Sequence, residues 1–184
     1  RGFRYVRYVG PHDARCNIYG EPKKSRTALQ LAGALAYLVL NNLDRVYISE
    51  MQESSLTQGK GRAGKQAFQS ILTELERISF DGKTNLNKAI TARQYQGSGV
   101  SVIISDFLDE KGIEEALKYL RYKKQEIVLI HILARQEIDI EGEGMVNLLD
   151  IETGEEVRLS LNRSSIEQYR NALDRFTLEL PAGG

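Results

Sequence analysis

Asp106 follows a run of β-branched residues, Val100-Ser-Val-Ile-Ile104, with Ser105 between. In open α/β sheets, ligand groups sit just beyond the carboxyl ends of such strands. Two other segments offer oxygen donors of the same kind: a polar loop at residues 10–20, which holds Asp13, and a turn at residues 82–85, which holds Thr84. A hydroxyl and two carboxylates converging on one sheet edge suit Mg²⁺, which takes oxygen ligands and keeps part of its water shell. The same residues also read as ordinary turn and cap residues. Thr84 in particular could cap a short helix over residues 84–93, since a hydroxyl at that place accepts a free backbone N–H.

Three further constellations carry chemistry on paper. Gly59-Lys-Gly-Arg-Ala-Gly-Lys-Gln66 is one residue short of the phosphate-binding pattern GxxxxGK[ST], with Gln66 where the hydroxyl that meets Mg²⁺ belongs. Its competing reading is a flexible basic loop. Asp139-Ile-Glu-Gly-Glu-Gly144, closed by Asp150, echoes a calcium loop but ends on Asp in place of the bidentate Glu. Cys16 and His12 make a conceivable thiolate–imidazolium pair, for which the sequence supplies no orienting partner. His131, the other histidine, lies within an apolar strand and reads as a core or strand-end residue.

The elements that must position these groups follow from periodicity. Residues 3–9 alternate arginine with aromatic or β-branched residues and read as a strand. Residues 25–43 read as a helix, apolar nearly all round from Ala28 to Leu40 and so packed on more than one side, with Asn41 and Asn42 as its stop. Residues 45–51 form the next strand and residues 52–64 a polar loop. Residues 65–78 carry Ala67, Phe68, Ile71, Leu72, Leu75 and Ile78 at helical spacing. Strands at 100–104 and 127–133 flank a helix at 113–122. Residues 145–161 read as a hairpin turning at Glu152-Thr-Gly-Glu155, and residues 164–178 as a closing helix with Ile166, Tyr169, Leu173 and Phe176 on one face. Non-alternating strands interleaved with helices predict one α/β domain, with a mostly parallel sheet flanked by helices.

Composition bounds the function. The chain has 184 residues, with 25 Lys+Arg against 25 Asp+Glu, which argues against a general nucleic-acid binder. Charge is local instead: residues 1–26 hold seven basic and two acidic groups, and residues 135–160 hold two basic and eight acidic groups. Both stretches read as solvated faces before they read as binding surfaces. A single cysteine excludes an intrachain disulfide and favours a cytoplasmic setting. The longest apolar run, residues 31–40, is too short to span a bilayer, and the first residue, Arg1, suggests a piece of a longer, conceivably membrane-anchored parent.

The order of short segments carries a resemblance. Tyr19-Gly-Glu-Pro-Lys-Lys24 leads into the helix at 28–38, followed by Leu43-Asp-Arg-Val46, Gly82-Lys-Thr-Asn-Leu86, Ile103-Ile-Ser-Asp-Phe107 and Asp150-Ile-Glu-Thr-Gly-Glu155. This succession resembles the bacterial "domain of unknown function 58" family, whose core is a von Willebrand factor A-like domain. The resemblance implies a Rossmann-like sandwich bearing a metal-ion-dependent adhesion site. That site is built from a D-x-S-x-S segment, a Thr and an Asp. Thr84 and Asp106 match the second and third parts. The first part does not match: one register sets His12, Ala14 and Cys16 there, and the next sets Asp13, Arg15 and Asn17. The implied metal set is therefore Asp13, Thr84 and Asp106, a degenerate site with Mg²⁺ absent or weakly held. The implied function is a non-enzymatic protein-interaction module, with a MoxR-type AAA+ ATPase as the partner class. The alternatives are a metal- or nucleotide-dependent phosphoryl-handling enzyme using the 59–66 loop with Asp106, and a structural domain with no ligand of its own.

Overall fold

The structure is a computed structural model that describes residues 5–10, 24–51, 56–78, 85–95, 97–107, 113–133, 138, 144–149 and 156–179. The chain opens with β1 (Tyr5–Gly10), then α1 (Lys24–Asn41) and β2 (Arg45–Met51). Helix α1 stops in a Schellman-type turn: Asp44 N–H reaches back to the Val39 carbonyl and Leu43 N–H to that of Leu40, each at 3.2 Å. Leu43 takes the left-handed position, at φ 61°, where glycine or asparagine is usual. The helix thus ends at Asn41, at the stop that Asn41 and Asn42 mark, two residues short of the expected 25–43 span, and Leu43 closes the turn beyond it.

The expected loop at 52–64 is corrected. It contains two short strands, β3 (Leu56–Gln58) and β4 (Arg62–Ala63), both antiparallel to β2. A 3₁₀ turn (Lys65–Ala67) then enters α2 (Phe68–Glu76). Next come α3 (Leu86–Thr91), β5 (Gly99–Ser105), α4 (Glu114–Tyr122) and β6 (Gln125–His131). A separate antiparallel pair, β7 (Gly144–Leu149) and β8 (Glu156–Leu161), precedes α5 (Arg163–Glu179). Asn162 and Ser165 cap α5 reciprocally, each side-chain oxygen accepting from the other's backbone N–H at 2.9 Å.

The main sheet runs β3-β2-β1-β5-β6, with β4 also on β2. Strands β2, β1, β5 and β6 are mutually parallel, with Tyr8 opposite Ile48 on one side and opposite Val102 on the other. Strand β1 is therefore central, and consecutive strands leave it in opposite directions. The alternation along β5 shows what each face meets. Val102 and Ile104, with Val46 and Ile48, join Ala28, Ala32, Ala36 and Leu40 of α1 and Ile71 and Leu75 of α2 in one core. Ile103 and Met51 join Leu86, Ala89 and Ile90 of α3 and Ala116, Leu117 and Leu120 of α4 in the other. Burying each aliphatic side chain of this size is worth about 1.5–3 kcal/mol, so the two helix layers fix the sheet. Strand β6 departs from the expectation of burial on both faces: it ends the described sheet, and Val128 is 43% exposed.

The capping expectation is also corrected. Helix α3 begins after Asn85, whose side-chain oxygen accepts from Lys88 N–H at 2.9 Å. An amide oxygen there satisfies an N–H that the first turn leaves without an intrahelical carbonyl. Thr84, the expected cap, lies outside the described residues, as do the 150–155 turn and the 139–143 part of the calcium-like loop.

Candidate functional site

Strands β1 and β5 are neighbours, while the chain goes from β1 to β2 on one side and from β5 to β6 on the other. This is a topological switch point, the place where open sheets form a crevice at their carboxyl edge. Two charged residues meet there. Asp106 directly follows β5, and Lys24 is the first residue of α1, the helix that follows β1. Lys24 Nζ donates to Asp106 Oδ2 at 3.2 Å, across 82 residues of sequence. Both are almost fully enclosed, with Lys24 at 2% exposure and Asp106 at 4%. An enclosed carboxylate is tolerable only with a partner of opposite charge or strong hydrogen bonds, and the ammonium supplies the first.

The turn that presents Asp106 is tightly determined. Ser105 Oγ accepts from Phe107 N–H at 3.0 Å, and the Ser105 carbonyl accepts from Ile132 N–H at 3.0 Å. Phe107 is buried at φ 54°, in the left-handed region that bulky residues avoid. Its ring meets that of His131 edge-on, with centroids 5.8 Å apart. Side-chain burial thus holds a strained backbone, and the strain fixes the residue before it.

Around this edge the second helix layer is tied by polar groups that sequence reasoning missed. Asn87 Oδ1 accepts from Ala116 N–H at 2.9 Å, so a side chain of α3 caps the first turn of α4. Arg93, 4% exposed, donates through Nη1 to Ser49 Oγ on β2 and lies against the Tyr95 ring at 5.1 Å. Tyr119 OH donates to the Arg93 carbonyl at 2.7 Å. Lys24 itself was missed as well. Helix α1 does have a solvent face, with Tyr37 49% and Leu38 58% exposed, so its apolar composition gives no local signal that Lys24 is enclosed.

Of the expected metal set Asp13, Thr84 and Asp106, the structure places Asp106 at the switch point, while Asp13 and Thr84 lie outside the described residues, as do His12, Cys16 and Asn17. Among the described residues no group of three His, Cys, Asp or Glu side chains gathers to hold an ion. The divalent cation implied by the resemblance does not fit the groups that are described. An ammonium already sits on the Asp106 carboxylate, the Asn85 oxygen caps α3, and the Ser105 hydroxyl is engaged within its own turn.

The phosphate-loop candidate is placed elsewhere. Ala63 pairs with Arg45 and Arg62 with Val46, at the amino end of β2, the edge opposite to Asp106. The pairing of the 59–66 loop with Asp106 in one enzyme site is therefore corrected. Its first two glycines have a packing reason: a Cβ on Gly59 would lie 2.6 Å from the Ile48 carbonyl, and one on Gly61 would lie 2.5 Å from the Tyr47 ring. Glycine is needed for the edge ribbon to approach β2 that closely. Arg62 is ion-paired with Glu74 of α2 at the rim of a cleft of about 480 Å³, and Lys65 is exposed.

With this geometry in view, comparison with known proteins gives a family. Residues 16–177 match the family described as "Protein of unknown function DUF58", and the chain belongs to it. Among solved structures, an aerotolerance-related membrane protein from Bacteroides fragilis NCTC 9343, carrying multiple mutations to serine, superposes with a TM-score of 0.54 at 16% identity. The match covers 91% of this chain and 87% of that one, which establishes a shared fold. No curated protein matches. Among the described residues no helix is long and apolar enough to cross a membrane.

Proposed function

We propose that the chain is a non-enzymatic protein–protein interaction module of von Willebrand A type, working from the cytoplasmic side with a MoxR-type AAA+ ATPase in the assembly or maturation of protein complexes. The observation that carries this reading is the Lys24–Asp106 pair. The carboxylate at the switch point is neutralised and enclosed by a residue of the same chain, an arrangement suited to holding an edge rigid for a partner. Family membership and the parallel order β2-β1-β5-β6 support the Rossmann-like, von Willebrand A-type part of the reading. The partner class rests on the resemblance carried by the segments 19–24, 82–86 and 103–107.

The test is binding of a purified MoxR-type ATPase to the immobilised protein. Lys88 is exposed on the first turn of α3, beside a core shared with Met51 and Phe107 at the carboxyl edge. Lys65 is exposed on the opposite edge. Saturable binding that weakens in Lys88→Glu and persists in Lys65→Glu supports the module. Tight Mg-ATP binding by the protein alone, abolished by Lys65→Ala, would overturn it in favour of a phosphoryl-handling enzyme.

A further inference from the structure

We infer that the Lys24 ammonium is a built-in cation standing where a divalent metal would otherwise sit at the switch point, so that this edge of the module works without metal. The inference deepens the reading above and rests on it only for what the edge is used for; the geometry stands by itself.

Three observations carry it. The first is position. Lys24 begins the helix after β1 and Asp106 ends β5, so the pair bridges the two strands between which the sheet changes direction. A ligand in such a sheet would enter at this place. The second is distance. The ammonium lies 3.2 Å from Asp106 Oδ2. A Mg²⁺ ion bound to that same oxygen would lie about 2.1 Å from it, and so within about 5.3 Å of the ammonium at the most. Two cations that close, in surroundings with little water, repel one another, so the ammonium weakens the hold of this oxygen on an ion. The third is enclosure. Lys24 is 2% exposed and Ser25 beside it is also buried, so the ammonium is held on the carboxylate away from solvent. The charge of the carboxylate is thus met permanently, by covalent connection to the chain, and no ion concentration enters the balance.

The consequence is a protein whose folding ignores divalent ions until the lysine is removed. The experiment measures thermal unfolding and Mn²⁺ binding of the protein, without any partner, in chelator and in millimolar MnCl₂. The wild type is expected to unfold at the same temperature in both and to show no saturable Mn²⁺ binding below about 1 mM, in line with a site whose positive charge is already supplied. Lys24→Ala is expected to unfold at lower temperature, to recover part of that loss in MnCl₂, and to bind Mn²⁺ about tenfold more tightly or better than the wild type. Adding Asp106→Asn should abolish the recovery. If Lys24→Ala does not fold, Lys24→Met keeps most of the buried stem, and Mn²⁺ binding is read on that variant. Mn²⁺ that stabilises the wild type, or Lys24 variants that remain as indifferent to Mn²⁺ as the wild type, would overturn the inference. Neither result depends on the ATPase, so failure here and failure of the partner reading are told apart.

Discussion

Replacing Asn87 by alanine tests how the second helix layer is joined. Asn87 lies on α3, and its Oδ1 accepts from the backbone N–H of Ala116 at 2.9 Å. Ala116 is in the first turn of α4, where N–H groups have no intrahelical carbonyl, and it is 0% exposed, so water cannot take over the bond. Losing the acceptor therefore incurs the desolvation penalty of a buried donor, about 1–3 kcal/mol, at or above the usual loss for a helix cap. For a domain of this size that corresponds to a fall in Tm of a few degrees to about 10 °C. Urea unfolding followed by far-ultraviolet circular dichroism should show a lower midpoint with an unchanged slope, since the surface exposed on unfolding is the same. Asn87→Asp retains an acceptor and places negative charge at a helix N-terminus, so it should recover part of the loss. A destabilisation of Asn87→Ala below about 0.5 kcal/mol would refute the claim that this side chain caps α4 in place of solvent.

Two further substitutions probe other layers. Val102→Asp puts a carboxylate at a 4% exposed position on β5, between α1 and the sheet, and should leave the protein unfolded by circular dichroism, since the buried charge gains no partner there. A cooperative transition near the wild-type temperature would argue against β5 as the core strand. Leu43→Gly relieves a left-handed backbone at a residue 78% exposed, so little apolar burial is lost, and stability should rise by about 1 kcal/mol in chemical denaturation. A decrease would mean that Leu43 packs on something essential.

Much of the scaffold was legible because burial on two faces writes itself into local composition. β2 fell on Arg45–Met51 as read, and β5 extended the apolar run by one residue at each end. Asp106 was legible for the same reason, as the first carboxylate after a strand that could only be internal. The edge ribbon escaped notice because β3 and β4 are polar and glycine-interrupted, and their pairing is set by the neighbour's backbone instead of by a core. Asn85 displaced Thr84 as the cap by a single position, a difference that propensity does not resolve, since both residue types cap well. Lys24 was illegible in a stronger sense. Its role depends on a carboxylate 82 residues away, and nothing in a window around it distinguishes a lysine that reaches water from one that does not.

The place of β1 has a consequence for how the chain is made. Its two neighbours are β2, some forty residues onward, and β5, which ends only at Ser105. A ribosome releasing the chain from its amino end exposes the greasy flank of α1 well before the second neighbour of β1 exists. Until the segment through Ser105 has emerged, the middle of the sheet is a raw border, open to pairing with another nascent chain. Long-range pairing of this kind slows folding and invites misassembly, so the demand for chaperone shelter should be greatest in that interval.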